Sequence, residues 1–470
     1  MKELLTNLGI DRAIAYTLFG RGWQVVAGLI TLWMVAKHLT PGEQGFYYTF
    51  SSILALQIFF ELGLSYVIMQ FASHERAHLS WSADGFLEGD LLSKDRLRSL
   101  FRYSFRWYGL VALLVFVVVL PSGWLFFYLK NTEVTATVSW RIAWVGLVAS
   151  TAIFIFVNSI YSLLEGCGLV VEVARVRIFQ SLVGSTAVWL VLAGDGGLLA
   201  APAMTISSTA VGIVWLIHSK QHFIRDMLVH AQDDRRISWL SEIWPFQWKI
   251  AVSWMSGYFM FQLFNPVLFA YRGPIEAGQM GMSIIIAGAV MTLPMAWMST
   301  KLPRFGMLVA KFQFNELDAL FFKAFWQSLG VLIALAIILS VANFILHQYE
   351  VKISARVLEP LPFMLLMMTN VLNYVAFAQA AYLRAHKQEP FLLLYVVSGI
   401  MICGSAILLA KDYGSAGIVM AYFMISIMGS FLGTWILQAK RREWHSVSAQ
   451  DETVNSEIIL HNISYRNTDV

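Results

Sequence analysis

Residues 39–75 have the sequence LTPGEQGFYYTFSSILALQIFFELGLSYVIMQFASHE, and this stretch decides the class of fold. It contains a largely apolar run at 46–71, and a transmembrane helix needs about 20 such residues. The run follows a Pro-Gly turn and ends in a segment rich in charged residues. We therefore interpret it as one membrane-spanning helix with a short turn on one side and a charged loop on the other.

The remaining sequence repeats this pattern. Of the 470 residues, 58% are hydrophobic and 13% are charged, and the mean hydropathy is +0.64. A soluble chain has no core large enough to bury that much apolar surface, whereas a chain surrounded by lipid needs none. Runs of spanning length lie at 13–38, 46–71, 107–129, 140–163, 176–193, 197–218, 246–271, 278–300, 321–347, 358–383, 390–410 and 415–438. The sequence predicts an all-α polytopic membrane protein of about twelve transmembrane helices.

The basic residues indicate the orientation of these spans. One alternating set of loops and termini contains 25 of the 33 Lys and Arg residues, and the opposite set contains seven. Basic loops stay in the cytoplasm, so both termini are predicted to be cytoplasmic.

An internal repeat predicts two halves. Residues 41–45 (PGEQG) and 274–278 (PIEAG) share the pattern Pro-x-Glu-x-Gly and follow spans of the same polarity. We predict two six-helix lobes related by pseudo-two-fold symmetry, an arrangement that suits a transporter with its site between them. The predicted parts are an N-terminal lobe at 1–218, an inter-lobe loop at 219–245, a C-terminal lobe at 246–438 and a cytoplasmic tail at 439–470.

Polar residues within the first two spans are candidate site residues, because burying them in a bilayer is expensive. Arg21 and Glu61 lie at matching depths, about 12 and 15 Å from the cytoplasmic ends at 1.5 Å per residue. Gln24 and Gln57 extend each charge into a polar stripe on one helix face. The two charges are interpreted either as a polar wall for an anionic or sugar-bearing cargo, or as a structural ion pair.

The seventh span offers Trp254, Tyr258, Gln262 and Asn265 at helical spacing. Aromatic rings beside amides suit stacking against sugar faces, although ordinary helix packing also explains such a set. We include these residues with the first group as candidates for a substrate or ion path.

Residues 74–78 match the zinc motif H-E-x-x-H, but the sequence marks no third ligand. We therefore predict that His74 and His78 bind no metal. The sequence contains no phosphate-binding G-x-x-x-x-G-K-[ST] motif, and neither cysteine is part of a C-x-x-C pair. No cofactor and no enzymatic activity are expected. Leu97 and Phe101 belong to an apolar stripe beside a basic one, which predicts an amphipathic helix on the inner leaflet.

The stretch 39–75 resembles the start of bacterial polysaccharide-transport proteins. These are the O-antigen and lipid-linked oligosaccharide flippases of the multidrug/oligosaccharidyl-lipid/polysaccharide exporter superfamily. The resemblance rests on the Pro-x-Glu-x-Gly-Phe-Tyr turn at 41–47 and on Glu-Leu-Gly-Leu at 61–64. It implies that an undecaprenyl-pyrophosphate-linked oligosaccharide is moved across the bacterial inner membrane by alternating access. The implied partners are this cargo, membrane lipids and other polysaccharide-assembly membrane proteins, with no nucleic acid.

Other functions remain open. The main alternative is a Na⁺- or H⁺-coupled carrier of the same superfamily that exports drugs or metabolites. A membrane-embedded enzyme of glycan assembly is disfavoured because the sequence has no large outer loop, and a zinc protease is disfavoured for the reason given above.

Overall fold

Helices dominate the computed structural model, which describes residues 12–82, 85–130, 137–229, 237–386 and 390–466. In chain order the helices are α1 (Arg12–His38), α2 (Pro41–Leu54), α3 (Ile58–Glu61), α4 (Leu64–Arg76), α5 (Leu91–Leu114), α6 (Leu120–Leu129), α7 (Arg141–Gly166), α8 (Val170–Ala193), α9 (Ala200–Ser219), α10 (Gln221–Met227), α11 (Trp244–Phe261), α12 (Phe264–Arg272), α13 (Pro274–Ser299), α14 (Leu302–Ala310), α15 (Phe314–Gln348), α16 (Pro360–Ala385) and α17 (Leu392–Arg466). Short 3₁₀ turns lie at Ala55–Gln57, Gly197–Leu199 and Ser354–Arg356, and π turns lie at Val115–Val119 and Trp239–Ile243.

Each predicted span coincides with one helix, with part of a longer helix or with a run of successive helices. By length and hydropathy, eight helices of the described residues qualify as membrane spans, or nine if the bent pair α2–α4 counts as one. That number is lower than twelve partly because α17 contains two predicted spans joined at Gly414, whose φ of 58° and ψ of −145° are not helical. The seventh span is divided into α11 and α12, so neither piece has full spanning length.

Two spans that were predicted to be continuous are broken. In the second span, Leu62 and Gly63 have φ of 53° and 66°, and the helices on either side are bent by 45°. In the seventh span, α11 ends at Phe261 and α12 begins at Phe264, two residues before Pro266. A proline has no backbone N–H to donate, so it suits the first turn of a new helix.

The prediction of an amphipathic helix on the inner leaflet is wrong. Its residues form the first turns of α5, which runs on through the π turn into α6 as one candidate span from Leu91 to Leu129. Leu97 and Phe101 are buried inside the protein, and Lys94 pairs with Asp226 at 3.0 Å. The apolar stripe therefore packs against other segments of the protein.

Among the described residues, the strands form one small hairpin in the loop after the second span. β1 (Leu79–Trp81) and β2 (Leu87–Gly89) are antiparallel, with Leu79 opposite Gly89. The Trp81 indole lies 5.3 Å from the Phe223 ring of α10, between ring centroids, and donates to the Cys167 carbonyl at 2.9 Å.

The chain divides into two compact units. The first consists of Met1–Met282, Ala355–Val357 and Ala406–Ser415, and the second of Ser283–Ser354, Leu358–Ser405 and Ala416–Val470. In the first unit, Phe46 packs against Phe127 and Phe269 at centroid distances of 5.2 and 4.9 Å. In the second, Phe321 and Tyr382 pack at 4.9 Å.

Candidate functional site

The break in the second span places Glu61 at the end of a helix inside the predicted membrane depth. Glu61 is the last residue of α3, and Leu62 and Gly63 follow it in left-handed conformations. A leucine in this conformation costs roughly 1–2 kcal/mol, because its Cβ approaches the carbonyl oxygen that follows. Strained backbone of this kind persists where the surrounding structure enforces it, and it occurs often at functional sites.

Two hydroxyl groups surround the Glu61 carboxylate, and we call Glu61, Ser65 and Tyr108 the Glu61 site. Glu61 Oε1 accepts a hydrogen bond from Tyr108 Oη at 3.0 Å and another from Ser65 Oγ. The two hydroxyl oxygens lie 2.6 Å apart. Tyr108 belongs to α5 and is completely buried, so the site joins the second span to the third. A charge placed at membrane depth is thus partly compensated by hydroxyl donors.

The seventh span packs against this break. A Cβ placed on Gly63 would lie 2.6 Å from Ile250 Cγ2 and 3.7 Å from the Trp254 ring, so only glycine fits between the two helices. Phe59 meets the Tyr258 ring edge to face at a centroid distance of 5.3 Å. The structure therefore brings Trp254 and Tyr258 next to the residues on either side of Glu61.

The other predicted site residues are distributed differently. Asn265 is buried in α12 and donates to Ser52 Oγ at 3.1 Å, which makes it a link between the second and seventh spans. Gln262 is half-buried at the break after α11, and Gln24 is exposed on α1. Within the described part of the chain, no hydrogen-bond donor reaches Gln57 Oε1, although this atom is buried. The Arg21 side chain lies outside the described residues, so its pairing with Glu61 stays a prediction.

Sequence reasoning missed Ser65 and Tyr108. Ser65 follows Glu61 by four residues, the spacing of neighbours on a helix face, so this partner was within reach of the pattern. Tyr108 had no such signal, because the sequence does not show which face of the third span meets the second.

The two copies of the repeat contact each other, and we call this contact the seam. It consists of residues 41–45, 274–282 and 355–357. A Cβ on Gly45 would overlap the Pro274 carbonyl oxygen, and a Cβ on Gly278 would lie 2.9 Å from the Gly45 nitrogen. The two glycines therefore let the backbones at the two helix starts touch directly.

Each repeat also makes a matching contact with a later turn in its own half. Glu43 caps α2 by accepting from the Thr40 nitrogen at 2.8 Å, and its Oε1 lies 3.1 Å from a Cβ placed on Gly197. Glu276 accepts from the Ser415 nitrogen, beside Gly414. Gly197 and Gly414 both have left-handed φ and join the last two predicted spans of their halves. The matched contacts support an internal duplication.

One buried amide ties the seam together. Gln44 is 1% exposed, and its Nε2 donates to the carbonyl oxygens of Gly278 and Arg356, both at 2.9 Å. Arg356 donates in return to Gln44 Oε1 at 3.3 Å and to the Leu39 carbonyl at 2.6 Å. Burial lowers the pKa of the Arg356 guanidinium and the nearby Glu43 carboxylate acts in the opposite direction. An arginine nevertheless stays charged in a protein.

The H-E-x-x-H residues are arranged differently from a zinc site. Glu75 accepts from Arg96 at 2.8 Å, and Arg96 also bonds to Glu242 at 2.6 Å. His74 and His78 are both exposed. In the portions of the chain that the structure covers, no group of three or more His, Cys, Asp or Glu side chains is placed to hold a metal ion.

Comparison with known proteins shows the fold. Neither a protein-family model nor a curated protein sequence matches the chain. A solved MATE family multidrug resistance transporter of the MOP superfamily, in an inward-facing conformation, matches with a TM-score of 0.68 at 15% identity. The match covers 90% of this chain and 96% of that one. The chain has the fold of the MATE transporters.

Two further structures with this fold are similar. An outward-facing MATE family transporter of the MOP superfamily has a TM-score of 0.56 at 15% identity, covering 92% of this chain and 95% of that one. A MOP superfamily transporter from Pyrococcus furiosus, described by the reverse polarity of its binding pocket, scores 0.55 at 14% identity with the same coverage. The predicted fold class, a membrane protein of twelve helices in two lobes, is confirmed by these MATE folds.

Proposed function

We propose that this chain moves an undecaprenyl-pyrophosphate-linked oligosaccharide, such as an O-antigen unit, from the inner to the outer leaflet of a bacterial inner membrane. It does so by alternating access between two lobes, with both termini in the cytoplasm. Solved structures of this fold are described as inward-facing and as outward-facing, which supports such a cycle. The resemblance of residues 39–75 to polysaccharide flippases supports the choice of cargo.

The observation that carries the proposal is the Glu61 site beside the aromatic residues of α11. A carboxylate and two hydroxyls suit the hydroxyl groups of a sugar, and Trp254 and Tyr258 suit its apolar faces. A carboxylate repels a pyrophosphate, so we assign Glu61 to the glycan part of the cargo. Arg21 is our candidate for the phosphate, because guanidinium groups bind phosphate oxygens in pairs. Other polysaccharide-assembly membrane proteins are the proposed partners.

A second candidate function rests on the same carboxylate. Glu61, Ser65 and Tyr108 bring oxygen atoms together at a helix break, and sites of that kind bind Na⁺ or H⁺ in ion-coupled transporters. This arrangement favours an ion-driven efflux carrier. The solved structures of this fold include proteins described as multidrug transporters.

Proteoliposomes separate the two functions. We expect wild-type protein to expose a lipid-linked oligosaccharide to an external glycosidase much faster than protein-free vesicles do. Glu61→Gln should slow that exposure, whereas Glu88→Gln, at an exposed carboxylate in β2, should not. If no glycan is flipped but a Na⁺ or H⁺ gradient drives export of a cationic dye, the efflux function replaces the first proposal.

A further inference from the structure

The seam combines a close backbone contact with a small set of polar bonds, and this combination suits a gate. We propose that the seam is the gate on the outer side of the membrane, and that Gln44 and Arg356 hold it closed. This inference rests on the alternating-access part of the proposed function and adds residues to it. The side is assigned from the loop charges, which place the turns at 39–45 and 272–278 outside.

The position of Gln44 makes it the central bond of the gate. Its amide joins three separate segments, the start of α2, the start of α13 and the 3₁₀ turn before α16. The start of α2 belongs to the first copy of the repeat, and the other two segments belong to the second half of the chain. A buried amide that loses its partners is strongly disfavoured, so the three segments stay together while Gln44 is enclosed.

The chemistry of the seam also allows it to separate. At Gly45 and Gly278 the two surfaces meet backbone to backbone without interlocking side chains, and beside them the Tyr48 side chain lies against Gly281. Arg356 is only half-buried, and the Gln279 amide, which donates to the Ala355 carbonyl at 3.1 Å, is partly exposed. Water can replace such bonds at a small net difference in free energy. Two states of similar free energy are what a gate requires.

Distance measurements between two spin labels test this directly and need no cargo. The labels are attached at two exposed positions, Lys37→Cys just before the first copy of the repeat and Ile275→Cys in the second copy. The two native cysteines of this chain are replaced by alanine. Wild type should show mainly the short distance of the closed seam. Gln44→Leu removes two donated bonds and should raise the ratio of open to closed molecules on the order of tenfold.

A matched control separates the gate from general loosening. Gln180 of α8 is another buried amide that donates to a carbonyl, that of Ser208 at 2.8 Å, and neither residue belongs to or adjoins the seam. Gln180→Leu should leave the distance distribution unchanged. If Gln44→Leu does not fold, Arg356→Ala gives the same comparison at a half-buried position. An unchanged distribution in the folded seam variant, or an equal change in Gln180→Leu, overturns the proposal, and neither outcome depends on whether a glycan is transported.

Discussion

The bond between Tyr108 and Glu61 has a measurable energetic consequence. Tyr108→Phe removes one hydroxyl from a fully buried ring and leaves Ser65 as the remaining hydroxyl donor to Glu61 among the described residues. A hydrogen bond to a charged group contributes about 1.5–3 kcal/mol, whereas a bond between neutral groups contributes about 0.5–1.5 kcal/mol. Glu61→Gln keeps the shape of the side chain. It turns the bond from Tyr108 to a charged carboxylate into a bond between two neutral groups. We therefore expect a coupling of about 1 kcal/mol between the two substitutions.

The assay is a double-mutant cycle on free energies of unfolding in detergent micelles. Tyr374→Phe is the matched control, because this buried tyrosine bonds to Ser328 and to the Pro294 carbonyl instead. Its coupling with Glu61→Gln should be zero within the usual scatter of about 0.3–0.5 kcal/mol. A Tyr108 coupling inside that scatter, or one no larger than the Tyr374 value, would refute an ionised Glu61 held by the Tyr108 hydroxyl.

Three further predictions come from the sequence. Arg21→Gln or Glu61→Gln alone should lower the protein level, and the double variant should restore it, because a single change leaves one charge unpaired in low dielectric; equal levels in all three variants would exclude the pair. Replacing His74 and His78 by alanine should leave glycan export intact and the purified protein free of stoichiometric zinc, as elemental analysis would show. Reporters fused to either terminus or inserted in the loop 219–245 should all behave as cytoplasmic, and an external signal from that loop would contradict the two-half topology.

The apolar runs located the spans because hydropathy reports directly on the bilayer, but they did not locate the breaks. Leu62 lies between Glu61 and Gly63 in a largely apolar run, and a leucine gives no sequence signal of a left-handed conformation. The break is enforced by packing, since Gly63 lies against Ile250 and Trp254 of a span far away in sequence. The break in the seventh span did have a signal, because Pro266 follows it by three residues and helices often begin near a proline.

The periodicity of apolar residues identified the apolar faces of helices without showing which segments cover them. The apolar stripe that contains Leu97 and Phe101 does lie on one face of a helix. This face belongs to α5 and is covered by the segment around Asp226 and Phe223. The Pro-x-Glu-x-Gly repeat was visible in the sequence, whereas its self-contact was not. A pattern shows that two segments are alike, and only the fold shows that Gly45 and Gly278 touch.

The central claim is that a lipid-linked glycan passes the Glu61 site beside the seventh span. Photocrosslinking tests it most directly, with a photoreactive amino acid in place of Trp254, whose side chain is 40% exposed. A matched protein carries the same group in place of Trp435, which is 69% exposed on α17. We predict that radiolabelled undecaprenyl-pyrophosphate oligosaccharide crosslinks at 254, is displaced by unlabelled cargo, and does not label 435 above the level of bulk lipid. Equal labelling at both positions, or displacement at 254 by a cationic drug but not by the glycan-lipid, would contradict the account.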